Sequence, residues 1–254
     1  MVDVIRSEWI KLSTLTVNKV LLIIAVAFPV VVTALVAGLS DEFFSSSDVA
    51  DLIGGLGWLS ALLFGVVATI GMAGEFGYNT IRPTFAAQPV RLKPLAAKLG
   101  VHVVVTALLV IGVIVVAWLL ATNLLDGSFS LSSSQEFGVD SPRAGLLGTL
   151  LLAIGVTIAG FGLGNLVRNT PAAVTALLLW PLVVENILAR LIFSALDLDW
   201  EKWLPFTAGL TIGIADRGTD DPDILSRTGA TVYFFAWVVV IAVLGILRTQ
   251  RSDA

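Results

Sequence analysis

The sequence contains no cysteine, a single histidine and few charged residues, which form 13% of the chain. The lack of cysteine excludes a disulfide framework and a thiolate metal site. One histidine, without an H-E-x-x-H sequence, excludes a helix-borne zinc protease site and leaves little basis for an intramembrane enzyme. Soluble domains typically carry about 25% charged residues, so the low charge also argues against a soluble protein.

A nucleotide-binding loop is missing as well. No segment matches G-x-x-x-x-G-K-[ST], the loop that holds nucleotide phosphates. The glycine-rich segment 160–164 lies inside an apolar run with no strand before it, and the spacing of Gly160 and Gly164 is typical of close packing between membrane helices. We therefore expect no catalytic, cofactor-binding or metal-binding residue on this chain.

Long apolar runs dominate what is present. Hydrophobic residues form 57% of the chain, and its mean hydropathy is +0.94. A helix needs about 20 apolar residues to cross a bilayer, whereas outer-membrane strands of about ten alternating residues do not fit these runs. The sequence therefore predicts an all-α polytopic membrane protein, one transmembrane domain over residues 1–254 with spans at about 20–39, 52–73, 99–125, 144–167, 172–196 and 229–247.

The basic residues favour one orientation of these spans. If the N-terminus is cytoplasmic, ten of the fifteen basic residues lie on the cytoplasmic side, in agreement with the positive-inside rule. Most acidic residues then lie outside, including those of segment 216–223, which lacks calcium-loop spacing and is expected to be a solvated loop. We predict a multi-pass protein of the plasma membrane with both termini in the cytoplasm.

Residues 1–19 predict an amphipathic helix before the first span. Val2, Ile5, Trp9 and Leu12 recur at steps of three and four, and polar residues cover the other faces. Such a helix lies in the headgroup layer, with Trp9 as its anchor. The alternative is a polar leader that has no partner.

The loop between the second and third spans predicts a short helix. Thr80 can cap it, Pro83 suits its first turn, and Pro89 ends it. Ile81 and Phe85 fall four residues apart on one face. A short helix parallel to the membrane is suited to docking, although the basic residues of this loop could instead hold anionic lipid.

Glu185 is the most unusual polar residue of the spans. It lies about 21 Å along a helix that begins near Pro171, beyond the bilayer midpoint. An unpaired charge there costs roughly 2.5–3.5 kcal/mol. Arg190 is not placed to pair with it at i,i+4 and shares a face with Asn186 instead. We therefore expect Glu185 to face a cavity, another span or a second subunit, either in a substrate path or gate or as one member of a structural pair.

The remaining polar residues of the spans are expected to pack and to bond neighbouring helices. His102, the only histidine, is interpreted as a hydrogen-bonded packing residue. The others indicate bonds between helices and are Thr69, Thr106, Asn123 and Asn165.

The outer segment between the fifth and sixth spans contains an apolar run that is too short to cross a bilayer. It follows the tryptophans of Trp200-Glu201-Lys202-Trp203 and extends over residues 204–215, with Phe206 near its start. This length favours a re-entrant or interfacial hairpin with tryptophans at headgroup level. An ordinary surface helix is the alternative.

Several of these features together resemble those of a known family of membrane proteins. The N-terminal RSEWIKL, the six spans, and the Gly-Glu-Phe, Thr-Ile-Arg and Pro-Val-Arg motifs after the second span resemble permease subunits of ABC transporters of the type-2 exporter class, particularly short actinobacterial permeases. In such permeases the N-terminal helix and the loop helix, called the coupling helix, touch the ATPase. The resemblance thereby implicates Arg6, Glu8, Trp9, Glu75, Thr80, Arg82 and Phe85.

The same resemblance implies partners and a direction of transport. Two copies of a separate ATPase subunit would bind ATP and magnesium, and a second permease copy or a homologue would complete the export pathway. A re-entrant hairpin before the last span would close the outer end. Together with the polar residues at membrane depth, this gives the expected path or gate residues Glu185, Asn186, Arg190 and Phe206. Membrane lipid is the other expected partner, and nucleic acid is not. The alternatives are a secondary transporter, which needs paired broken helices, and a scaffold or receptor without transport.

Overall fold

The computed structural model describes residues 2–40, 44–87, 90–125, 129–131, 141–193, 195–196, 200–215 and 224–251. Within these ranges the chain is all-helical and contains no strand. Six of its helices are long and apolar enough to cross a membrane. The prediction of an all-α, multi-pass membrane protein is therefore confirmed at this level.

Ten α-helices follow one another within the described ranges. They are α1 (Val2–Thr14), α2 (Thr16–Leu39), α3 (Ser46–Gly77), α4 (Ile81–Ala87), α5 (Leu92–Leu124), α6 (Pro142–Val167), α7 (Thr170–Leu179), α8 (Glu185–Ile187), α9 (Pro205–Ile212) and α10 (Arg227–Arg251). The fifth span, Thr170–Phe193, consists of α7 and α8 with π-helical turns at Trp180–Val184 and Leu188–Phe193. A 3₁₀ turn at Glu201–Trp203 precedes α9.

Several helices extend beyond the apolar runs because capping side chains fix where they begin. At the start of α3, the Asp48 amide donates to Ser45 Oγ at 3.2 Å and the Ser45 amide donates to Asp48 Oδ2 at 2.8 Å. This reciprocal arrangement is a capping box. At the start of α6, the Ala144 amide donates to Ser141 Oγ at 3.3 Å.

α3 and α6 form the centre of the bundle. In their most apolar stretches 61% and 67% of the residues are buried, against 22% to 28% in the other four spans. Glycines allow the two helices to approach closely: a Cβ on Gly160 would overlap the carbonyl oxygen of Gly65, and one on Gly164 would lie 3.0 Å from Met72 Cβ. The predicted packing role of Gly160 and Gly164 is confirmed.

This close approach predicts a stability difference between two glycine variants. Gly160→Ala is expected to lower the free energy of unfolding by about 1–3 kcal/mol, because its methyl group has to displace backbone. Gly112→Ala, on the exposed side of α5, has open space around the new methyl group and is expected to be neutral or stabilising. Unfolding in detergent micelles compares the two, and equal stabilities would contradict the packing role.

Polar residues of the spans bond in two different ways. Thr106 and Thr157 join α5 to α6 with Oγ1 atoms 3.1 Å apart, and Thr249 Oγ1 donates to Asn165 Oδ1 at 3.0 Å between α10 and α6. These bonds confirm the expectation for Thr106 and Asn165. Asn123 instead donates to a carbonyl within its own helix, because its side chain is exposed. Thr69 likewise donates to the Gly65 carbonyl of its own helix at 2.8 Å.

The fifth span departs from the regular helix expected for it. Pro181 lies in the first π-helical turn and cannot donate a backbone hydrogen bond. The side-chain amide of Asn186 donates to the carbonyls of Pro181 and Leu182, at 3.1 and 3.2 Å. π-helical turns inside α-helices occur frequently at functional sites, and here they flank Glu185.

The helices define two ends of the bundle. We call one the basic end: it contains α1, α4, the start of α5 and the last turn of α10, where Arg91 donates to the Gln250 carbonyl. We call the other the distal end. There the Ala215 amide donates to Asp51 near the start of α3, and Arg227 at the start of α10 donates to the Ile212 carbonyl of α9.

Candidate functional site

Four charged side chains from three helices meet at the basic end. This ion cluster consists of Glu8 and Lys11 of α1, Glu75 of α3 and Lys98 of α5. Lys98 Nζ lies 2.5 Å from Glu8 Oε2 and 2.9 Å from Glu75 Oε1. Lys11 Nζ lies 2.7 Å from Glu8 Oε1 and 2.8 Å from Glu75 Oε1. Two carboxylates and two ammonium groups therefore balance one another within the fold.

Burial makes this balance necessary. The exposed fractions are 2% for Glu8, 4% for Lys98 and 6% for Glu75. Charges with so little access to water depend on one another, and loss of one partner leaves the other uncompensated. The ion cluster thereby fixes α1 against the ends of α3 and α5.

Lys11 is the most exposed member of the ion cluster. Desolvation lowers the pKa of Lys11, but its hydrogen bonds to Glu75 and Glu8 outweigh this effect and hold the pKa above its ordinary value of 10.5. A group whose pKa rises on folding stabilises the fold fully below its unfolded pKa, and this contribution disappears only as pH rises through the folded value. Lys11 therefore stabilises the fold at neutral pH.

Apolar contacts position α1 beside the ion cluster. Leu12 is buried against Val67 of α3 and Val101 of α5. Ile5 and Trp9, predicted to share one apolar face with Leu12, are 44% and 54% exposed. The face is therefore divided: Leu12 docks on the bundle, and Ile5 and Trp9 remain available to the headgroup layer.

The short helix expected after the second span is present as α4. Ile81 and Phe85 lie on one face of this helix, as predicted. That face is buried and packs with residues of α3, α5 and α6. The Arg91 guanidinium lies over the Phe85 ring, 5.4 Å from its centroid. Thr80 Oγ1 donates to the Glu75 carbonyl at 3.5 Å, where a capping role was expected. Pro89, expected to end the helix, lies outside the described residues.

The residues implicated in ATPase contact divide into two groups. Arg6, Trp9, Thr80 and Arg82 are exposed. Glu8, Glu75 and Phe85 are buried and contact other residues of this chain. The side chains of these three residues face inward and hold α1 and α4 in place from behind. Contact with an ATPase stays a prediction for all seven residues.

Glu185 is 2% exposed and finds its compensation at the start of α9. Its Oε1 accepts from the Phe206 amide at 2.9 Å and from Trp180 Nε1 at 3.0 Å. Its Oε2 accepts from the Thr207 amide at 2.7 Å and from Thr207 Oγ1 at 2.9 Å. A carboxylate at a helix N-terminus satisfies free amides and interacts favourably with the helix dipole. The expectation that another element compensates Glu185 is confirmed.

The other expected path or gate residues have different surroundings. Phe206 is 6% exposed, with its ring 6.3 Å from Trp58 and 6.0 Å from Phe234 between centroids. Asn186 is exposed and uses its amide within the fifth span. The Arg190 side chain lies outside the described part of the structure. Of these residues, Glu185 and Phe206 are brought together.

The C-terminal end of α9 is also held, by residues that sequence reasoning did not identify. Arg227 Nη1 donates to the Ile212 carbonyl at 2.5 Å and Nη2 donates to the Ile214 carbonyl at 2.6 Å. Asp51 Oδ1 accepts from the Ala215 amide at 2.5 Å. α9 therefore has a carboxylate at its N-terminus and a guanidinium at its C-terminus, the signs that stabilise a helix dipole. Segment 216–223 lies outside the described residues.

An apolar cleft of about 240 Å³ lies beside this site, between the fifth span, α6 and α10. Trp180 and Phe206 line it, so the residues that bond Glu185 also form its wall. The Trp180 indole N–H is directed to Glu185, which leaves an apolar ring surface toward the cleft.

His102 lies one turn from Lys98 of the ion cluster. Its Nδ1 is 2.8 Å from the Lys98 carbonyl oxygen, and the ring packs against Gly71, where a Cβ would lie 2.8 Å from Nε2. These contacts confirm the interpretation of His102 as a hydrogen-bonded packing residue.

The chain belongs to DUF2705, a family described as a protein of unknown function, whose model matches residues 42–254. The matched region contains α3 to α10, and with them Glu75, Lys98, Glu185 and Arg227. No curated protein matches the chain. Membership of this family assigns no activity.

Proposed function

We propose that this DUF2705 protein is the membrane-spanning permease subunit of an ATP-driven ABC exporter. It would form half of the substrate pathway and couple it to a separate ATPase subunit. The basic end would then be cytoplasmic, with both termini at that side of the plasma membrane. ATP and magnesium would be bound by the partner, and a second copy or a homologue would supply the other half of the pathway.

The arrangement around Glu75 carries this proposal. Its carboxylate accepts from Lys11 of α1 and from Lys98 of α5, and its backbone carbonyl accepts from Thr80 before α4. One residue at the end of a central span thus contacts α1 directly and α4 through the turn that precedes it. A force applied to α1 or α4 would pass to α3, which is what coupling of a docked ATPase to the spans requires.

The exposed residues of this end suit a docked protein. The exposed residues are Arg6 and Trp9 on α1 and Arg82 on α4, while buried side chains hold both helices to the bundle. α4 would serve as the coupling helix. ATP binding would bring the docked surfaces together and shift the population of pathway states through its differential affinity for them.

The distal end suits a closing element. α9 is too short to cross a bilayer, yet Phe206, Ala208, Gly209 and Ile212 are buried. In the proposed permease it is the ascending arm of a re-entrant hairpin that closes the outer end. The hydrogen bonds of Glu185 at its N-terminus and of Arg227 at its C-terminus would keep it closed until the spans move.

Copurification tests the proposal. A tagged chain, solubilised from its own membrane, is expected to bring down a Walker-bearing ATPase and to show ATP hydrolysis that depends on the permease. Arg82→Glu is expected to reduce the recovered ATPase at least about tenfold. The reversal turns an attraction across the proposed interface into a juxtaposition of like charges, which costs several kcal/mol. Arg143→Glu, which reverses an exposed arginine at the distal end, is the matched control and is expected to change nothing.

The opposite results would contradict the proposal. If no ATPase is recovered and no permease-dependent hydrolysis is detected, the chain is not such a subunit. Transport that follows an ion gradient without ATP would favour a secondary transporter, and absence of any transport would favour a scaffold or receptor. Equal loss of ATPase with Arg82→Glu and Arg143→Glu would place the contact elsewhere.

A further inference from the structure

α10 is attached at its distal end to the segment that contains α9. Arg227 donates to the carbonyls of Ile212 and Ile214, at 2.5 and 2.6 Å. Farther along α10, Tyr233 Oη donates to the Trp203 carbonyl at 2.5 Å. These contacts hold both sides of α9 to one helix, because Trp203 precedes α9 and Ile214 follows it.

The last turn of α10 is attached in a similar way at the basic end. Arg91 Nη1 donates to the Gln250 carbonyl at 3.2 Å, and Arg168 Nη2 donates to the Arg248 carbonyl at 2.9 Å. Guanidinium groups interact favourably with the carbonyls of a helix C-terminus. At the distal end, then, an arginine of α10 donates to carbonyls beside α9, and at the basic end arginines of neighbouring elements donate to carbonyls of α10.

The two arginines at the basic end, Arg91 and Arg168, also contact aromatic rings of other helices. Arg91 lies over the Phe85 ring of α4, and Arg168 lies 4.8 Å from the ring centroid of Phe76 in the last turn of α3. Arg91 therefore links α4 to α10 with a single side chain.

Between its ends, α10 packs on α6 with little room for rearrangement. A Cβ on Gly162 would lie 2.8 Å from Ala242 Cα, and one on Gly245 would lie 2.5 Å from the Gly162 carbonyl oxygen. α10 is one continuous helix of 25 residues, about 37 Å long. Close backbone packing and an uninterrupted helix favour movement as a unit.

We propose that α10 transmits movement between α4 at the basic end and α9 at the distal end, with Arg227 as the positioning residue that holds α9 to it. The use of this link in transport rests on the proposed function. The link itself is a property of this chain, and its test needs no ATPase and no substrate.

A single-cysteine reporter tests the link, because the chain has no cysteine of its own. Thr211→Cys places a thiol on α9, and a water-soluble maleimide measures its accessibility in the full chain reconstituted in lipid nanodiscs. Arg91→Ala, at the other end of α10, is expected to raise the rate of modification about tenfold, since it removes a charge-assisted hydrogen bond. Lys93→Ala removes an exposed charge two residues away and is expected to leave the rate unchanged.

Two further variants separate transmission from a general loss of structure. In an Arg227→Gln background, Arg91→Ala is expected to add nothing to the rate at Thr211→Cys, since the link is already broken, and Arg227→Lys is expected to restore the response. Thr122→Cys at the distal end of α5 is the matched reporter, since both threonines donate within their own helices at i−3. An unchanged rate in Arg91→Ala, an equal rise at both reporters, or additivity with Arg227→Gln would overturn the inference. Each of these results leaves the permease proposal standing.

Discussion

Lys98→Met is expected to lower the free energy of unfolding by about 3–5 kcal/mol, the cost of breaking a buried ion pair by removing one partner. Lys98 contacts both carboxylates of the ion cluster, at 2.5 and 2.9 Å. Without it, Glu8 and Glu75 share only Lys11, whose side chain is 42% exposed. Methionine keeps the length of the side chain, so the lost stability reports on the charge. Unfolding in mixed detergent micelles measures the free energy of unfolding.

Lys93→Met is the matched control for this prediction. Lys93 lies in the same helix and is exposed, so its replacement is expected to change stability by less than about 0.5 kcal/mol. Adding Glu75→Gln to Lys98→Met removes the excess negative charge and is expected to recover part of the lost stability. If Lys98→Met and Lys93→Met are equally stable, the ion cluster does not hold α1 in place.

Glu185→Leu is expected to release α9 and, if the chain is the proposed permease, to abolish transport. The substitution removes the acceptor for two backbone amides, one hydroxyl and one indole. Each buried donor left without a partner costs about 1–3 kcal/mol. We therefore expect a loss of at least about 2 kcal/mol in unfolding free energy, together with greater thiol accessibility at Thr211→Cys.

Glu185→Gln and Glu201→Leu define what the carboxylate contributes. Glutamine keeps one acceptor oxygen, so a smaller loss of stability is expected than with leucine. Glu201 is an exposed glutamate in the 3₁₀ turn before α9, and Glu201→Leu is expected to leave stability and transport unchanged. Full transport with normal assembly in Glu185→Gln would remove the gating role, since the charge itself would then be dispensable.

The helices were predictable from the sequence because they depend on local patterns. The length of the apolar runs predicted the six spans. The four-residue spacing of Ile81 and Phe85, with the flanking prolines, predicted the short helix α4 but not the burial of the face that the two residues share. The spacing of Gly160 and Gly164 indicated close packing, which the contact with Gly65 confirms. In each case the signal lies within one segment of the chain.

The two clusters were not predictable in the same way. The ion cluster joins residues 8, 75 and 98, and nothing local separates a buried Glu8 from an exposed one. The signal that could have located it is charge: Glu75 and Lys98 are opposite charges next to apolar runs that face each other at one end. Glu185 was recognised as costly, but two of its four hydrogen bonds come from backbone amides, which have no signature in the sequence.

The central position of α3 has a consequence for synthesis of the protein. The helix that covers its glycine-rich face is α6, which is complete about 90 residues after α3 ends. At the usual pace of translation this interval lasts roughly 5–20 s. During that time the nascent chain carries a membrane helix whose best-packed surface has no partner.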